Sequence, residues 1–151
     1  MTNEQNNNGA KKETLHNLKN TYCQLRPSKI EGVGVFAVRE IPKGNDPFLG
    51  IKQKQWIKFM TDDLKGIDKS IFNMIDNFFV IEKDDSVYIP KDGLNGIDVS
   101  FFVNNSKKPN LKIMGNGKES ATQFIALRKI KKGEELTVSY GTYDYKYRPT
   151  D

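Results

Sequence analysis

Apolar positions along this chain come in short runs separated by turn residues, and the runs change character near the middle. From Gly32 to Ile51 the pattern reads as short strands broken by turns. GVGVFAVREI, starting at Gly32, interleaves β-branched and aromatic residues. Pro42-Lys43-Gly44 is a turn, and Asp46 to Ile51 is the next strand candidate. Between Gln53 and Asn77 the spacing switches: Trp56, Phe59, Met60, Leu64, Ile71, Phe72 and Ile75 recur at intervals of three and four. That period predicts one or two short helices, with the aromatics as core. From Phe78 the pattern is β again. FFVIE and VYIP flank the turn residues Lys83 to Ser86, and Ile97 to Val103 is a strand-like run. Leu111–Met114, Gln123–Ala126 and Leu136–Val138 complete the set, with GNGKES (Gly115–Ser120) as a turn or flexible loop. The expected fold is mostly β with a short helical insert at about 53–77. Its strands are too short and its helices too few for a doubly wound α/β sheet.

The first stretch, MTNEQNNNGAKKETLHNLKN, is polar and rich in asparagine. Its apolar residues are too sparse to bury, so residues 1–20 are expected to form a disordered tail, with room for a short helix near Thr14 to Asn20. One domain is expected over 21–148, beginning in earnest at Tyr22 to Leu25, followed by a short tail at 149–151. The sequence holds no internal repeat.

Composition narrows the function classes. At 36% hydrophobic and 28% charged residues, the chain suits a small soluble intracellular protein. The lone cysteine, Cys23, excludes an internal disulfide and a structural zinc site built on several cysteines. No apolar run is long enough to span a bilayer, and the N-terminus lacks a signal peptide's apolar centre. The expected location is the cytoplasm or nucleus, with no membrane partner and no metal. The net charge of +5 is compatible with an acidic partner. The lysines, however, are spread along the chain rather than gathered in a stripe, which argues against direct nucleic-acid binding.

Three segments carry candidate chemistry. In SKIEGVGVFA (Ser28–Ala37), Gly32 and Gly34 flank Val33 ahead of an apolar strand, and closely spaced glycines let a backbone approach a ligand without a Cβ in the way. A dinucleotide fingerprint would need a third glycine and a following helix. FFVNNSKKPN (Phe101–Asn110) places three asparagines around one break directly after an apolar lead-in. A carboxamide offers a donor and an acceptor, as does the edge of an adenine ring; an asparagine-rich turn with local capping bonds is the other reading. IKKGEELTVSYGTYDY (Ile130–Tyr145) runs from a lysine-glycine turn through a short strand to Tyr140, with Tyr143, Tyr145 and Tyr147 close behind. Such a cluster either covers an open end of the core or walls a narrow channel for a cation.

Taken in order, the three segments resemble the SET-domain family of lysine methyltransferases. The opening motif, a serine and then Gly-x-Gly-Val-Phe-Ala, is matched by Ser28 and Gly32 to Ala37. The central motif, Arg-Phe-x-Asn-His-Ser-Cys-x-Pro-Asn, is matched by Phe101 to Asn110, and the closing motif, Gly-Glu-Glu-Leu-Thr-x-Asp-Tyr-Gly, by Gly133 to Gly141. Asn105 stands where the family has histidine, Lys107 where cysteine is frequent, Phe101 for an arginine and Ser139 for an aspartate. No cysteine-rich segment follows Tyr140, as in small viral and bacterial members. The resemblance covers about Tyr22 to Arg148. It implies several small sheets with a C-terminal pseudoknot and S-adenosyl-L-methionine as cofactor. Gly32, Val33 and Gly34 would lie against its methionine end and Asn104 and Asn105 near the adenine. Tyr140 would be the catalytic tyrosine at the cofactor, and Tyr143 and Tyr145 channel or lid residues. The implied activity is methyl transfer to a lysine of a protein, such as a histone tail, a ribosomal protein or another basic protein. A SET-like binding module without turnover is the alternative, and a small basic nucleic-acid-binding domain a blander one.

Overall fold

A computed structural model describes residues 3–51, 54–115 and 123–146. In chain order its elements are α1 (Asn3–Lys19), β1 (Cys23–Pro27), β2 (Val33–Ala37), β3 (Trp56–Met60), α2 (Lys69–Phe78), β4 (Ser86–Pro90), β5 (Asn104–Asn105), β6 (Leu111–Met114), β7 (Gln123–Ala126) and β8 (Glu135–Val138). Short 3₁₀ turns lie at Thr61–Leu64, Gly93–Gly96, Val99–Phe102 and Tyr140–Thr142. The expected set of several small sheets is present, but two α-helices and the 3₁₀ turns together hold at least as many residues as the strands. Among the described residues no helix is long and apolar enough to cross a membrane.

The main sheet has the order β1-β2-β8-β5. β2 is antiparallel to both β1 and β8, whereas β5 runs parallel to β8, with Asn104 opposite Thr137 and Asn105 opposite Val138. The C-terminal strand is therefore inserted between the opening and central motifs, and it is the segment that the resemblance implies is threaded as a pseudoknot. Its residues Leu136 and Val138 are buried with Val35, Ala37, Ile41, Leu111 and Ile130 in the first core. β3–β4 and β6–β7 are two-stranded ribbons. A second core forms where α2 packs on β3–β4, through Leu64, Ile75, Phe79, Val87 and Ile89. Phe101 packs into this core and Phe102 against the first. Their ring contacts, Phe101 with Phe79 at 5.7 Å and Phe102 with Phe78 at 5.6 Å, join the two halves directly ahead of Asn104.

Five expectations are corrected. FFVIE forms no strand: Phe78 closes α2, and Ile81 makes only an isolated bridge with Val87. The stretch expected as a disordered tail is helical over Asn3–Lys19, although the helix buries none of its residues. Its helicity is local: Ala10 to Leu18 is rich in helix formers, Glu4 and His16/Lys19 complement the macrodipole, and the Asn20 carboxamide donates to the His16 carbonyl at 2.8 Å. The helical insert is half strand, because Trp56–Met60 pairs with Ser86–Pro90 and only Lys69–Phe78 is α-helical. Asp46–Ile51 is a turn, started by the Phe48 N–H donating to Asp46 Oδ1 at 2.8 Å. The strand-like run at Ile97–Val103 is mostly a 3₁₀ turn, capped where the Ser100 N–H donates to Asp98 Oδ1 at 2.9 Å. Of GNGKES only Gly115 lies within the described residues, and Tyr147 lies outside them.

Candidate active site

Where β2, β5 and β8 meet, the three motifs are joined by one carboxylate and three carboxamides. Glu135 opens β8 and is half-buried. Its carboxylate accepts from Ser28 Oγ at 2.7 and 2.9 Å and from Asn104 Nδ2 at 2.9 Å. The same carboxylate occupies the space beside Gly34 that a side chain would need: a Cβ there would lie 2.1 Å from Glu135 Oε1. Gly34 is thus required by close approach. Gly32 is required by its backbone, at φ +44°, and its carbonyl accepts from the Ser28 N–H at 2.8 Å to close the turn.

Each asparagine of the central motif is a long-range clamp. Asn104, buried, donates to the carbonyls of Glu31 (3.1 Å) and Val33 (3.3 Å) as well as to Glu135, so its amino group braces the glycine turn. Asn105 Oδ1 accepts the Tyr140 N–H at 2.8 Å. Asn110, buried, donates to the Glu135 carbonyl and accepts from the Thr137 N–H, both at 2.8 Å, and so grips β8 from the far side of the break. The local-capping reading of this stretch fails for all three, because every partner is distant in sequence.

Tyr140 begins the 3₁₀ turn after β8. Its hydroxyl donates to the Val103 carbonyl at 2.9 Å, which orients the phenol oxygen. The Tyr143 ring meets it edge-on at a centroid distance of 5.8 Å. Tyr145 is turned elsewhere: Lys83 Nζ sits 5.7 Å from its ring centre, and the ring helps line a surface hollow with Lys58, Glu82, Asp84, Ser86 and Tyr88. Buried Asp144 ties the turn back through its N–H to the Tyr140 carbonyl at 2.9 Å. Among the described residues no group of three or more His, Cys, Asp and Glu side chains gathers as a metal site.

The structure therefore brings Gly32, Val33, Gly34, Asn104, Asn105 and Tyr140 into one connected region, with Tyr143 beside it and Tyr145 apart. Ser28 and Asn110 were read as motif residues without an assigned role, and Glu135 was not singled out by sequence reasoning. The signal that could have found them is polar side chains at motif positions flanked by buried strand residues.

The family model for the SET domain matches residues 32–141, and the chain belongs to that family. Among solved structures, the fold resembles one chain of a humanized mutant of the Chaetomium thermophilum Polycomb Repressive Complex 2 bound to the inhibitor GSK126. Identity is 23% and the TM-score 0.52, over 81% of this chain and 15% of that one. A Plasmodium falciparum protein described as a candidate histone methyltransferase is 19% identical with a TM-score of 0.49, over 80% of this chain and 94% of that one. No curated protein matches the sequence.

Proposed function

We propose that this chain transfers a methyl group from S-adenosylmethionine to a lysine side chain of a protein. The observation that carries the reading is the convergence on β8 of the glycine turn, the Asn104–Asn105 strand and Tyr140, held by the bonds to Glu135 and Asn105. Family membership sets its context.

The residues present fit such a cofactor. β5 ends its sheet, so one edge of its backbone lies outside the strand ladder and offers the donor–acceptor pattern an adenine edge needs. The backbone at Gly32 is open, with nothing within 4 Å of where a side chain would stand. The Asn104 amino group is committed to Glu31, Val33 and Glu135, so the adenine contact is assigned to the backbone of Asn104–Asn105 and the side chain to bracing. When bound, the cofactor supplies an electrophilic methyl group on a sulfonium.

The chain's own part is to align and neutralise the incoming amine. A free lysine has a pKa of about 10.4, so only about one in a few thousand is neutral at pH 7. A poorly solvated channel beside Tyr140 and Tyr143 would disfavour the ammonium and raise that fraction. With its O–H donated in a hydrogen bond to the Val103 carbonyl, the Tyr140 hydroxyl presents oxygen lone pairs that accept from the amine and aim it. Alignment of this kind supplies most of the acceleration. Tyr145, which packs by Lys83 away from Tyr140, is given no part in the channel.

The test is a paired assay on Tyr140→Phe, which keeps the ring and removes the oxygen. Methyl transfer should fall by about two orders of magnitude, since a misplaced nucleophile costs that much. Stability should fall by about 0.5–1.5 kcal/mol for the bond to Val103. Cofactor affinity by calorimetry should barely change. A variant that binds cofactor and methylates at the parent rate removes Tyr140 from the mechanism. A parent that binds cofactor and never transfers points to the binding module instead.

A further inference from the structure

Two of the bonds that hold the turn carrying Tyr140 have their acceptors on one short segment. The Val103 carbonyl accepts from the phenol O–H at one end of the residue, and Asn105 Oδ1 accepts from the backbone N–H at the other, 2.8 Å away. Asn105 is itself fixed. It faces Val138 across the parallel ladder, and the next residue, Ser106, donates its N–H to the Val138 carbonyl at 2.9 Å. The carboxamide therefore reaches past the end of β8 to the main chain two residues on. Remove its oxygen and the Tyr140 main chain loses its side-chain bond to β5, while the Val103 carbonyl still holds the hydroxyl, the end that is to meet the amine.

We propose that Asn105 is a positioning residue for Tyr140, acting through a neutral acceptor on the tyrosine's main-chain N–H. The inference rests on the methyltransferase reading only for its catalytic consequence; the clamp itself can be tested without turnover. Asn105 stands at the position where the family motif has histidine. An imidazole nitrogen can accept the same N–H only while unprotonated, and its ordinary pKa is about 6.5. A carboxamide oxygen carries no such condition, so in this chain the clamp does not open on mild acidification. Titratable groups around this segment include Tyr140, whose hydroxyl meets the Val103 carbonyl, Tyr143 and Asp144 on the turn itself, and Glu135, which Ser28 and Asn104 hold.

The experiment uses the full chain and three variants: Asn105→Leu, which keeps bulk and loses the acceptor, Asn105→Asp, which keeps an acceptor oxygen, and Asn105→His. Two readouts are taken, the hydrogen-exchange protection factor of the Tyr140 amide and the kcat and KM of methyl transfer on a basic protein fraction. For Asn105→Leu, protection of that amide should fall about tenfold or more and kcat by a similar factor, with cofactor KM within about threefold, as expected of lost alignment rather than lost binding. Asn105→Asp should recover most of the protection. Asn105→His should be protected around pH 8 and lose protection by about pH 5.5, while the parent does not change. Unchanged protection and kcat in Asn105→Leu overturns the proposal. Should that variant not fold, Asn105→His decides: pH-independent protection equal to the parent's overturns it. A parent that shows the protected amide but transfers no methyl group would overturn the methyltransferase reading and leave the clamp standing.

Discussion

Gly34→Ala is a substitution of one methyl group whose cost can be worked from the geometry. Gly34 lies in β2 with φ outside the left-handed region, so alanine meets no backbone strain there. Its Cβ would nevertheless stand 2.1 Å from Glu135 Oε1, where ordinary contact begins at 3.4 Å, so the carboxylate must retreat by 3.4 − 2.1 = 1.3 Å or the strands must part. Such a shift breaks the bonds from Ser28 Oγ and Asn104 Nδ2. Hydrogen bonds to a charged group contribute about 1.5–3 kcal/mol each, but Glu135 is half-buried and water replaces part of the loss, so the expected cost is about 2–4 kcal/mol. The assay is urea unfolding of a double-mutant cycle with Glu135→Ala. Without the carboxylate, Ser28 Cβ at 3.1 Å still crowds the new methyl and must yield by a few tenths of an ångström. Gly34→Ala should then cost about 0–1 kcal/mol, because alanine also restricts the unfolded chain. A coupling energy of about 2 kcal/mol or more is expected. An equal cost in both backgrounds would refute the close-approach account of this glycine.

Asn104→Ala should lower stability by about 1–3 kcal/mol, since it removes the donor shared by the half-buried Glu135 carboxylate and the Glu31 and Val33 carbonyls, and should weaken cofactor binding as the glycine turn loosens; unchanged urea midpoint and affinity would contradict this. Burial, and secondarily the Asp46 carboxylate, push the Cys23 thiol from its ordinary 9.0 up to about 12. The fold therefore favours the neutral thiol: this contribution to stability is whole below the unfolded thiol's pKa and is lost as pH rises from about 9 toward 12. Iodoacetamide at about pH 8.5 should modify Cys23 slowly in the native protein and rapidly in urea, and equal rates would show an open thiol. Deleting residues 1–18 should move the melting temperature by no more than a degree or two, because the described part of α1 buries nothing; a drop of many degrees would show that the helix docks.

Much of the scaffold was legible because the signal was local. The glycine-flanked strand at Val33, the ribbon strands at Leu111–Met114 and Gln123–Ala126, and the strand before Tyr140 declare themselves through β-branched and aromatic residues between turns. Trp56–Met60 did not. Its apolar residues fit a helical period, and a short apolar run does not distinguish strand from helix. What decides it is a partner at Ser86–Pro90, on the far side of α2. Asp46 and Asp98 defeated two strand readings for the opposite reason. One carboxylate bond to a backbone N–H two residues on outweighed an apolar run. Within the site, the motif order picked out Tyr140, Asn104 and the glycines. The division of labour among them was invisible, because Glu135 meets Ser28 across 107 residues of sequence and no local pattern encodes that contact. For the asparagines, composition gave the residue type, and only the fold shows that they span segments rather than cap a turn.

The central claim, methyl transfer to lysine, is tested most directly by recovering the product. Parent protein and Tyr140→Phe are each incubated with S-adenosylmethionine and a fractionated basic protein mixture, and peptides are mapped by mass spectrometry. The account predicts methyl groups on lysine side chains with the parent and about a hundredfold fewer with Tyr140→Phe. Equal lysine methylation by the two proteins, or a parent that binds the cofactor and leaves every lysine unmodified, would contradict it.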